Sequence, residues 1–133
     1  MERRMLHQSA YYRLGNKFLF TGFLNRVEVA EILESADIYV MSSVSEPFGI
    51  APLEAMAYGI ATIISKQSGV SEVVEHALKV DYWDVKEMAN KIMYLIDNPN
   101  ERERLARYGR LEVEKLRWDD AAEKIVGVYK EHV

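Results

Sequence analysis

The sequence predicts an α/β fold, a doubly wound parallel sheet followed by C-terminal helices. Three observations predict it. Short apolar runs alternate with helical stretches, the order that builds parallel sheets. One of those runs, "DIYVMSS", is apolar at consecutive positions, as in a strand covered on both faces. The chain then closes in helical stretches with no strand signal between them.

In chain order, residues 1–14 read as a helix stopped by Gly15-Asn16. "KFLFTG" is a short apolar run ended by glycine, a buried strand. "NRVEVAEILESA" carries a helical stripe at Val27, Ala30, Ile32, Leu33 and Ala36. Asn25 is its N-cap, and Glu28 completes a variant of the capping box. "DIYVMSS" is the next strand, and the helix "APLEAMAYG" follows, closed by Gly59 as its C-cap. "IATIIS" is a third strand, "VSEVVEH" a short helix, and "ALKVDYW" contains a fourth strand. "DVKEMANKIMYLIDN" is an amphipathic helix capped by Asp84 and stopped before Pro99. Two helices, from Asn100 to Leu116 and from Asp119 to the end, finish the chain, with Trp118 between them as a packing anchor.

At 133 residues the chain has the size of one domain and can bury a core without staples. The net charge of −4 gives no support to nucleic-acid binding. The absence of cysteine excludes disulfides, thiol nucleophiles and thiolate metal sites. His7, His76 and His132 lie far apart and form no ligand pattern, so no metal site is expected. The start "MERRMLHQSAYYRLG" has neither a long apolar run nor a small-residue cleavage site. It reads as neither signal peptide nor membrane span, and the cytoplasm is the default compartment. Arg3 and Arg4 read as a solvated helix face.

Parallel sheets of this kind bind ligands at the carboxyl ends of their strands. The candidate loops are therefore Gly22–Asn25, Ser42–Ala51 and Ser65–Val70. The middle one leads into "SEPFGIAPLEAMAYG", which holds Glu46 and Glu54 around a proline-led helix start. Proline suits the first helical position, and Ala51 before it has no capping side chain. The amides of Ile50, Ala51 and Leu53 are then without a local partner, and Gly49 leaves room beside them. Such a helix start is open to a phosphate. Glu54, in the first turn, has a structural role open to it as a complement to the helix dipole, and Glu46 as a solvated loop acid. Two acids flanking a phosphate site make sense if they accept hydrogen bonds from sugar and ribose hydroxyls.

"FTGFL", "ADIYVMSSVSEPFGIAPLEAMAYG", "SGVSEVV" and "LRWDDAAEKIVGVY" resemble successive blocks of the retaining family 4 glycosyltransferases, glycogen synthases among them. "SEPFGIAPLEAMAYG" is similar to their E-x7-E motif. The resemblance runs from about Lys17 onward. It implies the Rossmann-like C-terminal half of a GT-B glycosyltransferase, with residues 1–133 forming a truncated nucleotide-sugar-binding domain. It gives Glu46 the catalytic position on the donor sugar's hydroxyls and Glu54 the ribose hydroxyls. The backbone of Phe48, Gly49, Ile50 and Ala51 would meet the sugar and diphosphate. Gly22 and Phe23 would approach the nucleobase. Ser68 and Gly69 occupy the place of the family's Gly-Gly loop, with serine for the first glycine.

The resemblance further implies transfer of a hexosyl group from a UDP- or ADP-sugar to a glucan or other hydroxyl acceptor, with no metal or other cofactor. Departures limit it. The family's donor domain begins with further βα units that supply an arginine and a lysine to the diphosphate, and nothing before Lys17 matches them. The N-terminal acceptor domain is missing too, and "HALKVDYWD" replaces the family's GxLV step. The chain is thus expected to be inactive alone, to need that domain in cis or trans, and to cover the sheet flank at "KFLFTG" by self-association or by its N-terminal helix. The competing reading is a non-catalytic nucleotide-binding or protein-interaction module. An NAD enzyme is disfavoured because no G-x-G-x-x-G follows a strand. Lys66 alone is weak support for a pyridoxal-phosphate enzyme.

Overall fold

A computed structural model describes residues 2–131, the side chains of residues 2 and 118 excepted. Trp118, expected to anchor packing, therefore has its side chain outside the described residues, as does the whole of His132. The chain divides into two units, Met1–Glu31 and Ile32–Val133.

In the first unit, helix α1 spans Glu2–Tyr11. It stops short of the expected Leu14 because Arg13 turns left-handed, at φ 55°. The Arg13 and Leu14 amides then donate back to the carbonyls of Ala10 and Ser9 at 3.0 and 2.8 Å. That pair of bonds satisfies carbonyls the helix end would otherwise leave open. "KFLFTG" is not a strand. An extended segment becomes a strand only against a ladder partner, and this one has none among the described residues. Leu19 stands 82% exposed, where a buried strand residue was expected. Helix α2, Arg26–Ser35, begins as the sequence predicts. The Asn25 side chain accepts from the amides of Val27 and Glu28, and Glu28 accepts from the Asn25 amide at 2.7 Å.

The second unit carries a three-stranded parallel sheet in the order β1 (Ile38–Met41), β2 (Ala61–Ser65), β3 (Leu78–Val80). Tyr39 faces Thr62 and Met41 faces Ile64 across the first pair, and Ile63 faces Leu78 across the second. Every residue of β2 is buried, Thr62 and Ser65 among them, as in a central strand covered on both faces. Alternate side chains go to opposite faces. On one face Met41 and Ile64 pack with Met56, Val70, Val74 and Ala77, flanked by Tyr39, Leu53 and Val113. On the other, Ala61, Ile63 and Val80 pack with Met88, Leu95 and Leu105.

Helix α3 is Ile50–Ala57. It ends at Gly59, whose φ of 73° lets the amides of Gly59 and Ile60 bond back to Met56 and Ala55. A 3-10 turn, Gly69–Glu72, replaces the short helix expected from "VSEVVEH". Helix α4, Val85–Asp97, is capped by the Asp84 carboxylate, which accepts from the Glu87 amide at 2.9 Å. Helix α5 spans Pro99–Val113 and α6 spans Trp118–Glu131. Both start one residue before expectation: Pro99, lacking an amide hydrogen, fits inside the first turn instead of preceding it. Gly109 of α5 lies against α3, where an added Cβ would sit 3.1 Å from Met56 Cε. The fold is therefore a parallel sheet with helices on both faces and helices at its C-terminus.

Candidate functional site

The loops that leave the carboxyl ends of β1 and β2 lie side by side. Glu46 and Ser68 form a parallel backbone bridge. The Gly69 amide donates to the Glu46 carbonyl at 3.1 Å, and the Val70 amide to the Phe48 carbonyl at 2.6 Å. Gly69 is required there, because any Cβ would collide with the Pro47 carbonyl. Ser68 is buried, and its hydroxyl donates to the Ser65 carbonyl at 2.7 Å. The Ser68–Gly69 pair thus latches the acidic loop from beneath. The amides of Gly69 and Val70 are spent on that latch.

Gly49 is the second required glycine. Its φ of 91° is a left-handed conformation, and a Cβ would meet Glu46 Cγ at 3.2 Å and Met41 Cε at 3.3 Å. Gly49 is also the N-cap of α3 and has no side chain to cap with. The helix therefore starts at Ile50, two residues before Pro52, which was expected to open it. Proline is tolerated at this third position because the first-turn amides have no intrahelical acceptor. The amides of Ile50 and Ala51 have no acceptor among the described residues.

This start moves Glu54 into the second turn, so no acid sits in the first turn of α3. The helix-dipole explanation for Glu54 is correspondingly weakened, because that effect fades beyond one turn. Glu46 is half-buried and Glu54 exposed. Both act on the phenol of Tyr39. Burial pushes its pKa up first, then the charge of Glu54, then that of Glu46. Tyr39, half-buried on β1, thus marks a point near both carboxylates. Sequence reading missed it because an aromatic in a strand reads as core.

A cavity of about 530 Å³ opens along α3. Phe48, Ile50 and Glu54 line it on one side. Lys115, Arg117 and Lys124, from the end of α5 through α6, line it on the other. Arg117 and Lys124 belong to the terminal block "LRWDDAAEKIVGVY", but only the fold brings them and Lys115 to the cavity that Glu54 lines.

The structure thus brings together Glu46, Phe48, Gly49, Ile50, Ala51, Ser68 and Gly69, with Glu54 one turn along α3. Gly22 and Phe23 belong to the first unit. There Gly22 is left-handed at φ 65° and Phe23 is 97% exposed. The loop that holds them follows no strand. Lys66 is occupied by an ion pair with Asp81 at 2.9 Å, which leaves nothing to favour a Schiff-base role.

Known proteins match the chain in sequence and in fold. A glycosyltransferase of Methanocaldococcus jannaschii, itself uncharacterized, is 35% identical over 126 residues, which is 90% of this chain and 32% of the relative. The sucrose-phosphate synthase structure from Thermosynechococcus elongatus superposes with a TM-score of 0.83 at 30% identity, over 97% of this chain and 33% of that one. The C-terminal domain of a glycosyl transferase group 1 family protein from Francisella tularensis superposes with a TM-score of 0.79 at 26% identity, over 85% and 60% of the two chains. This chain spans about a third of the length of the first two. The family profile "Glycosyl transferases group 1" matches residues 1–112. Profile and fold agree, and the chain belongs to the group 1 glycosyltransferases, with the fold of their GT-B C-terminal domain.

Proposed function

We propose that the chain supplies most of the donor-binding domain of a retaining, nucleotide-sugar-dependent hexosyltransferase of family 4, of the glycogen or starch synthase kind. The donor is a UDP- or ADP-sugar, and a hydroxyl group, on a glucan or another acceptor, receives the hexose. Glu46 binds the hydroxyls of the donor sugar and Glu54 those of the ribose. The uncapped amides of Ile50 and Ala51 face the sugar and diphosphate, with Phe48 and Gly49 shaping the approach. No metal or cofactor is used. Ser68 and Gly69, assigned by resemblance to the donor itself, act here by holding the Glu46 loop.

One observation carries this reading. The Glu46 loop, held against residues 68–70, leads through left-handed Gly49 into a helix start with no side-chain cap, with Glu54 one turn along. Carboxylates at such positions accept hydroxyls while the open amides take an anion. Relatives whose names describe sugar-phosphate synthases, at 30% and 35% identity, support the substrate class.

The test is an NMR titration of the chain with UDP and UDP-glucose. Glu54→Ala weakens both ligands by about 1.5–3 kcal/mol, the loss of a charged hydrogen bond. Glu46→Ala weakens UDP-glucose only. If both variants bind both ligands as the parent chain does, the acids are structural and the reading is wrong.

A further inference from the structure

One motif of the sequence has no part in the donor reading. "HALKVDYWD" stands where the family has its GxLV step, and it carries two adjacent aromatics, Tyr82 and Trp83. Both follow β3, at the end of the parallel sheet from which the acid-bearing loop leaves β1. Their rings meet edge to face, with centroids 4.8 Å apart and planes at 83°, a contact that is favourable in itself. Trp83 nevertheless stays 62% exposed. The turn that presents it is held on both sides. The Asp84 amide donates to the Asp81 carbonyl at 2.9 Å, and the Val85 amide to the Trp83 carbonyl at 3.1 Å. Asp84 in turn caps α4.

The loop after β2 supplies polar groups beside this turn. Gln67 accepts from the Tyr82 amide at 3.2 Å and donates to one Asp81 oxygen at 2.8 Å. Lys66 donates to the other Asp81 oxygen at 2.9 Å. An ionised carboxylate offers about four acceptor sites, so Asp81 keeps capacity for further hydroxyls. Lys66 likewise gives only part of its donor capacity to the bridge. Gln67 precedes Ser68 and Gly69, which latch the Glu46 loop, so one continuous segment joins the aromatic turn to the acidic loop. Only β2 separates β1 from β3, and the two loops therefore stand roughly 10 Å apart along the sheet end. An exposed aromatic ring with hydroxyl-binding groups at its rim is the complement of a pyranose, which has apolar C–H faces and a polar edge. A protein side chain or an acyl chain would use the indole and leave Asp81, Lys66 and Gln67 idle.

We propose that Trp83, backed by Tyr82, stacks on a hexopyranose ring of a saccharide acceptor, with Asp81, Lys66 and Gln67 on its hydroxyls. The acceptor role rests on the donor reading of the neighbouring loop, whereas the binding of a sugar ring at Trp83 does not. The acceptor is then an oligosaccharide long enough to reach from the transferred hexose to this turn.

The test is an NMR titration of the 133-residue chain with maltoheptaose and with an α-linked mannotriose, read at the Trp83 indole N–H and at the amides of residues 65–69 and 81–85. At least one saccharide is expected to shift these signals. Trp83→Ala, at an exposed position, is expected to weaken that binding about tenfold or more. Trp83→Phe keeps an aromatic face in the same turn and is expected to bind in between, a graded loss that a merely structural tryptophan would not produce. If neither saccharide moves the Trp83 signal, or if Trp83→Ala binds as the parent chain does, the inference is overturned. A Trp83 signal that moves with chain concentration and not with sugar marks an interface between copies and overturns it as well. The donor reading is scored separately, by UDP against Glu54→Ala. Sugar binding lost at Trp83 with UDP still dependent on Glu54 leaves the donor reading standing alone. Sugar binding kept at Trp83 with UDP indifferent to Glu54→Ala supports the saccharide site and removes its role as acceptor site.

Discussion

Gly69 shows how much of the site rests on a single missing atom. A Cβ there meets the backbone of Pro47, which cannot swing aside as a flexible side chain would. Gly69→Ala is expected to open the pairing between the Glu46 loop and residues 68–70 and to destabilise the chain by about 1–3 kcal/mol. Urea unfolding measures it, and an unchanged midpoint would show that the two loops are not latched. The sequence displayed this residue as part of a short motif but gave no hint of its job, because its constraint comes from a loop more than twenty residues away. Glu46 and Glu54 stood out in the sequence for the opposite reason, since their spacing around the helix start is local. Tyr39 was hidden because a phenol in an apolar strand looks the same whether or not carboxylates approach it.

At the scale of elements, one carboxylate carries the hydrogen bonds between α5 and the segment before β3 among the described residues, beside the stacking of Tyr108 on His76 at 5.4 Å. Glu112 of α5 accepts from the amides of Glu75 and His76 at 2.7 and 2.9 Å, and lies 3.1 Å from His76 Nδ1. Burial alone pushes its pKa up, but the His76 and Glu75 amides and the His76 ring outweigh it and hold the carboxyl below the usual 4.5. A carboxylate whose pKa is lowered by folding stabilises the fold above its unfolded value and ceases to do so as pH falls through its folded one. Stability is therefore expected to decline on acidification below about 4.5. Glu112→Ala costs about 1–3 kcal/mol at neutral pH, by stranding two amides, and flattens that acid decline. Chemical denaturation across the pH range checks both, and a variant with an equally steep acid limb would contradict the assignment. Elements set by local signals were readable in advance. The Asn25–Glu28 box, the Asp84 cap and the Gly59 stop all lie within a few residues of what they cap. "KFLFTG" was misread because a strand is defined by its partner, which no local pattern supplies.

For the whole molecule, the proposed activity requires donor and acceptor to be held together, and catalysis by positioning is lost when one holder is missing. The isolated chain, about a third the length of its relatives, is expected to release no UDP or ADP from the corresponding glucose donors above background when a glucan is supplied. A coupled nucleotide-release assay checks it, and clear turnover would refute it. Helix α5 also sets an order of events. It supplies Leu105 to the core on one face of the sheet and Val113 to the core on the other. The strands lie in the sheet in the order in which they leave the ribosome, so each one meets its neighbour as soon as it emerges. Helices α3 and α4 cover part of each face first, but neither cover is complete until the last turn of α5 has been made. A nascent chain stalled before that point leaves oily surface showing on both sides of the sheet, and its dependence on chaperones lasts until the fold can close.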